Sequence, residues 1–433
     1  MTTRPMRRVA ATLLLCLMSV GASAETVALE CGRVFDSVNA RVLGPHVIVI
    51  EDERIAAVER GADYGGNGAV VDLSDATCLP GLMDMHTHIT SQFSRTTYLD
   101  RFRDGPGEIA FKAVPYAERT LMAGFTTIRD LGDRDNLSVA MREAIQRGDL
   151  VGPRIVTSAK SIATTGGHAD PTNGARFDIY PHPGPEDGVV NGIAEARQGV
   201  RQRYKDGADL IKITATGGVL SPAKNGQNPQ FREDELRAIV ETAADYDMPV
   251  AAHAHGAEGM KRAIRAGVIS IEHGTLMDDE VIRLMKEHGT YFVPTLMAGE
   301  WVAEQAREPG FFPEVVRPKA ATLGPMMTET FARAYKAGVK IAFGTDSGVS
   351  AHGDNAREFI LMVDAGMPAA EALQSATATA AELLGMADRL GSLERGKLAD
   401  IVAVPGNPVD DIALMEQVVF VMREGAIYRS PER

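Results

Sequence analysis

Leu79-Pro-Gly-Leu-Met-Asp-Met-His-Thr-His-Ile89 is the stretch on which the fold of this chain turns. After the Pro-Gly step the segment is mostly apolar, and it ends in two histidines, His86 and His88, at i and i+2. In a strand, period-2 geometry turns both rings to the same side. Two neutral imidazoles side by side begin a zinc site. The pair alone is weak evidence, because such histidines also occur as surface or packing residues. Its meaning depends on whether other strands end in further ligands.

Outward from this stretch, residues 79–390 alternate short apolar runs with helical segments, the pattern of parallel βα units. Eight strands are expected: Leu82–His88, Phe125–Leu131, Arg154–Ala159, Leu210–Thr216, Val250–His255, Ser270–His273, Tyr291–Leu296 and Ile341–Asp346. Helices fit between them, for example over Glu233–Tyr246 and Gly256–Ala266. The expected fold class is α/β, a (β/α)8 TIM barrel. A doubly wound open sheet is the alternative, but the Gly-rich turn after its first strand is missing.

The flanks read differently. Residues 25–78 hold short strands and tight turns, such as the hairpin His46-Val-Ile-Val-Ile, Glu51-Asp-Glu-Arg, Ile55-Ala-Ala-Val. Residues 391–433 repeat that style in Ala399-Asp-Ile-Val-Ala-Val and in a hairpin from Val418 to Tyr428. Each piece is too small for a core of its own. Together they are expected to form one composite β-sandwich domain. Residues 1–24 combine Arg4, Arg7 and Arg8, an apolar run from Val9 to Met18, and Ala22-Ser-Ala. This is expected to be a signal peptide cut before Glu25, sending the protein to the periplasm or outside the cell. A membrane anchor is the alternative, but the run is short for a span.

The 433 residues are 45% hydrophobic, 24% charged and only 6% aromatic, and the formal charge is −13. Ample core and few aromatics suit helices packed on strands. Losing the leader would remove three arginines and no acid, leaving an even more acidic protein. Nucleic acid and anionic membrane are therefore not expected partners. Beyond the leader the cysteines are Cys31 and Cys78, and the sequence leaves open whether they pair.

The strand ends are where such a barrel does chemistry. The fourth strand holds Lys212, in Leu210-Ile-Lys-Ile-Thr. The fifth holds His253 and His255, in Ala251-Ala-His-Ala-His-Gly. The sixth ends at His273 and the eighth at Asp346. Each has a plainer reading: a satisfied core histidine, a lysine snorkelling outward, an aspartate capping the next helix. Their joint position at one end of five strands, counting the first, argues against coincidence. An ammonium at Lys212 would be repelled by metal cations. A neutral amine can instead add carbon dioxide and become an anionic carbamate able to bridge two ions. Four imidazoles, one carbamate and one carboxylate suit two divalent metals about 3.5–4 Å apart.

On these residues, with Leu79-Pro-Gly and the closing Gly391-Ser-Leu-Glu-Arg-Gly-Lys-Leu-Ala-Asp-Ile-Val, the chain resembles the amidohydrolase superfamily, in its binuclear carboxylated-lysine subgroup. The resemblance implies that His86, His88 and Asp346 hold the more buried metal, His253 and His273 the more exposed one, and Lys212 bridges them. Zinc is the expected metal. A water on such a pair deprotonates near neutral pH, with Asp346 as the catalytic proton acceptor and donor. His255 competes with His253 for the ligand role; family spacing favours His253, leaving His255 facing substrate or supporting the ligands. His168, in Thr164-Thr-Gly-Gly-His-Ala-Asp, is either a substrate-carboxylate ligand or a loop histidine. Met297, Trp301, Phe311 and Phe312 are an apolar lid, ordinary helix packing or a subunit contact.

Within the superfamily the chain is similar to prolidase-like peptidases and to amidohydrolases that hydrolyse ochratoxin A. That likeness implies release of a C-terminal amino acid from an N-acyl or peptidyl small molecule, including ochratoxin A to ochratoxin alpha and phenylalanine, by a homo-oligomer. Xaa-Pro dipeptidase is the alternative. A heterocycle deaminase is weaker, since those relatives lack the bridging lysine.

Overall fold

The strands that end at the histidines are built from small and branched apolar residues and are buried on both faces, as parallel strands covered by helices must be. The computed structural model describes residues 26–431 apart from 177, 180, 181, 224 and 225. The expected leader, 1–24, lies outside them. In chain order the strands are β1 (Thr26–Asp36), β2 (Arg41–Leu43), β3 (His46–Glu51), β4 (Arg54–Arg60), β5 (Ala69–Pro80), β6 (Leu82–Thr87), β7 (Phe125–Asp130) and β8 (Arg154–Thr157). They continue as β9 (Ile211–Thr214), β10 (Val250–Gly256), β11 (Ser270–Leu276), β12 (Tyr291–Val293), β13 (Ile401–Pro405), β14 (Phe420–Arg423) and β15 (Ala426–Arg429).

The middle of the chain is α/β. Strands β6-β7-β8 form one parallel sheet and β9-β10-β11-β12 another. Single parallel bridges join their edges: Ile162 to Ile213, Phe292 to Ile341 and Thr87 to Ser347. Two of the expected strands come out differently. Ile341–Asp346 is a bridged segment and not a continuous strand. Asp346 has φ +59°, outside the extended region. Tyr291–Leu296 stops at Val293, because Pro294 offers no N–H, Thr295 has φ +53°, and Leu296 already starts a helix.

The helices between strands follow from their patterning. Ala257–Ala266 buries Gly259, Met260, Ala263 and Ile264 on one face. Asp279–His288 starts at Asp278, whose side chain accepts from the Val281 N–H at 2.9 Å.

Both chain ends enter one eight-stranded mixed sheet, in the order β15-β14-β13-β5-β1-β3-β4, with β2 on β1. β5 is the shared strand, parallel to β1 and antiparallel to β13. An apolar cluster including Leu29, Ile48, Leu73, Phe420 and Met422 draws on both halves of the sheet. β5 runs almost directly into β6, separated by Gly81, so the sheet fixes where the first histidine strand starts. Arg154 on β8 reaches back to it, donating to Asp400 at 2.7 Å and to Glu424 at 2.7 Å.

Cys31 on β1 and Cys78 on β5 form a disulfide that closes a 47-residue separation. A loop of that size carries up to about 4 kcal/mol of unfolded-state restriction. The double variant Cys31→Ser/Cys78→Ser should unfold at lower denaturant, and added reductant should lower the midpoint of the native chain but not of the variant. Identical midpoints for native chain and variant without reductant would contradict this.

Candidate metal centre

All eight site residues expected from sequence converge on one cavity of about 240 Å³: His86, His88, His168, Lys212, His253, His255, His273 and Asp346. They reach it from the end of β6, from within β9, β10 and β11, from the Ile341–Ser347 segment, and from the loop after β8. Burial of this many imidazoles requires that each polar nitrogen be accounted for. In the five strand histidines one ring nitrogen is held by the protein. His86 Nδ1 pairs with Glu272 Oε2 at 2.9 Å and His88 Nδ1 with the Gly132 carbonyl at 2.7 Å. His253 Nε2 faces the Gly217 carbonyl at 3.1 Å. His255 Nδ1 meets Thr275 Oγ1 at 2.7 Å and His273 Nδ1 meets Thr295 Oγ1 at 2.8 Å. In each ring the other nitrogen is left for a ligand. Imidazoles that bind metals are oriented in this way by outer partners.

His86, His88 and Asp346 each have a donor atom within 4.8 Å of the others, a candidate metal site. Asp346 Oδ1 stands 3.5 Å from His86 Nε2 and 3.3 Å from His88 Nε2, yet it is buried without a hydrogen-bond partner. An orphaned carboxylate oxygen facing two imidazole nitrogens fits a cation between them. On the other side His253 and His273 approach to 4.7 Å between ring centres, and His273 to 4.9 Å from His86. Lys212 is buried at 3% exposure, and among the described residues its Nζ has no hydrogen bond or ion pair.

Electrostatics keep four of the five strand histidines neutral and Asp346 ionised. Burial holds His86 and His255 down to about 4, with Lys212 adding to the effect on His86. Burial and the neighbouring imidazoles push His253 and His273 well below the usual range. At His88 burial acts downward, but the Asp346 carboxylate outweighs it and raises the value. Burial raises Asp346, and His86, His88 and Lys212 more than offset it, so that it stays ionised. Burial, opposed by Glu272 and Asp346, brings Lys212 down to about 8, closer to the neutral amine that carbamate formation needs.

Four residues around the site hold φ between +50° and +70°: Ala159, His273, Thr295 and Asp346. Left-handed backbone at non-glycine positions costs of order 1–3 kcal/mol each and collects at functional sites. Of the four, His273 and Asp346 line the cavity, so the sharp turn falls where their side chains enter it.

Sequence reading missed the supporting layer. Glu272 is fully buried, one residue before His273; its Oε1 accepts from Arg129 NH2 at 2.9 Å and from Ser270 Oγ at 2.5 Å. Arg129 also donates to the Met85 carbonyl at 2.7 Å. Burial would raise Glu272, but Arg129 and His86 hold it down to about 2. Asp84 accepts from the His86 and Thr345 N–H groups and from Asn355, tying the first strand end to the Asp346 segment. Glu272 and Asp84 were visible as acids inside apolar strands; nothing in sequence tied them to Arg129 or Asn355.

His168 faces the same cavity, stacked on His253 with 4.4 Å between centres, and its Nδ1 is buried without a partner. Burial and the nearby cations and imidazoles bring it down to about 3. Gly218 lies under that ring; a Cβ there would sit 2.2 Å from it. Met297, Trp301, Phe311 and Phe312 do not line the cavity. Trp301 and Phe312 pack on Phe93, and Phe311 on Trp301 and Phe312, so packing is what the structure gives them. The apolar lining comes instead from Val219, Leu220, Ala298, Val302, Met327 and Val349.

Two outcomes follow. Glu272→Gln removes the charge that faces Arg129 and leaves one acceptor oxygen where Arg129 and His86 use two, so bound divalent metal should weaken by about 10–100-fold. Equilibrium dialysis with metal analysis reads this, and unchanged affinity would contradict it. Six buried imidazoles (His86, His168, His253, His255, His273, His352) are held below their unfolded value by burial first. The unfolded chain therefore binds more protons, and stability falls as pH drops from about 6.5 toward 4. Asp84, Asp130, Asp133 and Glu358, raised by burial, and His88, raised by Asp346, oppose this but are fewer. Melting of chelator-treated protein should shift down between pH 7 and 5; a flat profile would refute it.

The geometry agrees with what the chain is similar to. The model of the amidohydrolase family matches residues 77–428. A crystal structure of a Xaa-Pro dipeptidase with bound methionine in its active site superposes with TM-score 0.92 at 52% identity, covering 94% of this chain and all of that one. A prolidase solved with N-methylphosphonate-L-proline gives TM-score 0.86 at 33% identity, with 94% and 100% covered. Ochratoxinase of Aspergillus niger is 33% identical over 373 residues, 82% of this chain and 76% of the enzyme. The matched span, the imidazole cluster and these likenesses agree: the chain belongs to the amidohydrolase family, as a member of prolidase and ochratoxinase type and a hydrolase acting on amide bonds.

Proposed function

We propose that this hydrolase is binuclear and releases a C-terminal amino acid from N-acyl or peptidyl substrates, ochratoxin A among them. The observation that carries the reading is the convergence of four imidazoles, the Asp346 carboxylate and an unpartnered buried lysine on one cavity. His86, His88 and Asp346 would hold one cation, His253 and His273 a second, and Lys212, as its carbamate, both. Zinc suits this imidazole and carboxylate set. When bound, such a pair supplies Lewis acidity and brings the pKa of a water from 15.7 toward about 7. The three edge bridges support reading the middle of the chain as a closed (β/α)8 barrel, residues 79–390, beside a domain of 25–78 and 391–433. The Cys31–Cys78 disulfide supports export after removal of 1–24, since such bonds persist in oxidising compartments.

The chain's own residues then divide the work. Asp346 Oδ1, kept ionised, takes the proton of the attacking water and returns it to the leaving nitrogen. His168, neutral and with Nδ1 unpartnered, donates to the substrate carboxylate, with His255 on the same side of the cavity. Val219, Leu220 and Met327 receive the apolar body. A second reading, Xaa-Pro dipeptidase, is favoured by the 52% identity to an enzyme of that name.

A hydrolysis panel of N-acyl-phenylalanines, Xaa-Pro dipeptides and ochratoxin A, followed by amino-acid release, tests both readings. Phenylalanine release with about two metals per chain is expected. Turnover confined to Xaa-Pro would select the second reading, and no amino-acid release from any member would end both. Lys212→Ala should lose at least about 100-fold in kcat/KM, the upper end of losing a supporting group. Asp346→Asn should lose about 10²–10⁴ in kcat; full activity in either variant would contradict its assigned role.

A further inference from the structure

Lys319, on the helix Arg317–Lys336, is the side chain for which neither the ligand set nor the core accounts. It is half-buried and has no ion pair among the described residues. Its three N–H groups go to three carbonyls of one segment: Gly218 at 3.0 Å, Ser221 at 2.8 Å and Ala223 at 2.8 Å. From another element Tyr98 donates its hydroxyl to the Leu220 carbonyl at 2.7 Å, while its ring rests on Phe93. Four carbonyls within six residues are thus taken by two side chains from elsewhere in the chain. Burying half of an ammonium against neutral acceptors is costly. A residue serving stability alone would be better placed beside a carboxylate or in water.

What this segment does explains the expense. Its ends are already tied, by a bridge between Thr216 and Pro229 and by the Gly217 N–H to the Asn228 carbonyl. Its middle turns Val219 and Leu220 into the cavity. The Gly217 carbonyl orients His253 and Gly218 lies under His168. Small displacements of this loop would therefore change the shape of the apolar wall beside the reacting groups.

We propose that Lys319 and Tyr98 are positioning residues for substrate selectivity: they clamp Gly218–Ala223 from two elements and so set the Val219–Leu220 wall against which a bulky apolar side chain of the substrate packs. This rests on the amide-hydrolase reading above. Neither residue touches the reacting atoms.

The test uses the metal-loaded full-length enzyme with two substrate pairs, N-acetylphenylalanine against N-acetylglycine and Phe-Pro against Gly-Pro. Lys319→Met keeps the stem and removes the donors. In at least one pair its bulky-to-small ratio of kcat/KM should fall by about tenfold, the low end of what an apolar pocket discriminates. The loss should sit in KM, with kcat on the small substrate little changed. Tyr98→Phe should move the ratio in the same direction by less, and Lys319→Arg should recover part of it. A ratio unchanged in both pairs overturns the proposal. Hydrogen exchange of 217–223 gives an independent reading. Faster exchange confined to that segment in Lys319→Met supports the clamp, and unchanged exchange there overturns it. If the unmodified enzyme cleaves neither pair, ochratoxin A turnover decides the amide reading separately, while exchange still decides the clamp. If Lys319→Met unfolds, Tyr98→Phe decides by the same ratio and the same exchange.

Discussion

Glu272 sits between two partners, accepting from Arg129 with one oxygen and meeting His86 Nδ1 with the other, with no solvent access. Most of the centre depends on this buried pair. A carboxylate there is tolerated only because a guanidinium faces it, and removing either partner would strand the other charge. With both present, His86 is held to one tautomer and one orientation, its Nε2 turned to the cavity. Arg129 simultaneously ties β7 to the Met85 carbonyl of β6 and to Ser270 of β11. One ion pair therefore couples three strands below the ligands.

Around that pair the site combines rigidity with local cost. The backbone at His273, Thr295 and Asp346 is held in the left-handed region. Neighbouring imidazoles lie within 5.5 Å of each other, which is acceptable only while most are neutral. The same arrangement suits cation binding and is poor for stability without a cation. The apolar wall is made separately, from a loop held in place by donors to its carbonyls and not by its own ladder. The candidate ligands and the apolar wall thus rest on different supports: strands for the imidazoles, a pinned loop for Val219 and Leu220.

Much of this was legible beforehand where a residue contradicts its surroundings. Lys212 between two isoleucines, and histidines alternating in apolar runs, have no good reason to be buried unless they serve a site. Strand positions followed from runs that are apolar on both faces. The failures have equally local causes. The eighth segment departs from a regular strand because Asp346 leaves the extended region, which spacing does not reveal. For Trp301, Phe311 and Phe312 the sequence left a lid and packing both open; Trp301 and Phe312 pack on Phe93, 208 residues or more away in sequence, a contact that no periodicity encodes.

The amino-acid sequence by itself determined the candidate site residues, their placement on five of the eight expected strands and the family they resemble, because hydrophobic period and residue chemistry are local properties. Only the tertiary structure decided which nitrogen of each imidazole is free, that Glu272 and Arg129 support His86, that Cys31 meets Cys78, and that Lys319 holds the loop after β9. These are pairings between side chains far apart in the chain. Their distances and orientations are set by how strands and helices pack, and nothing in the local sequence fixes them.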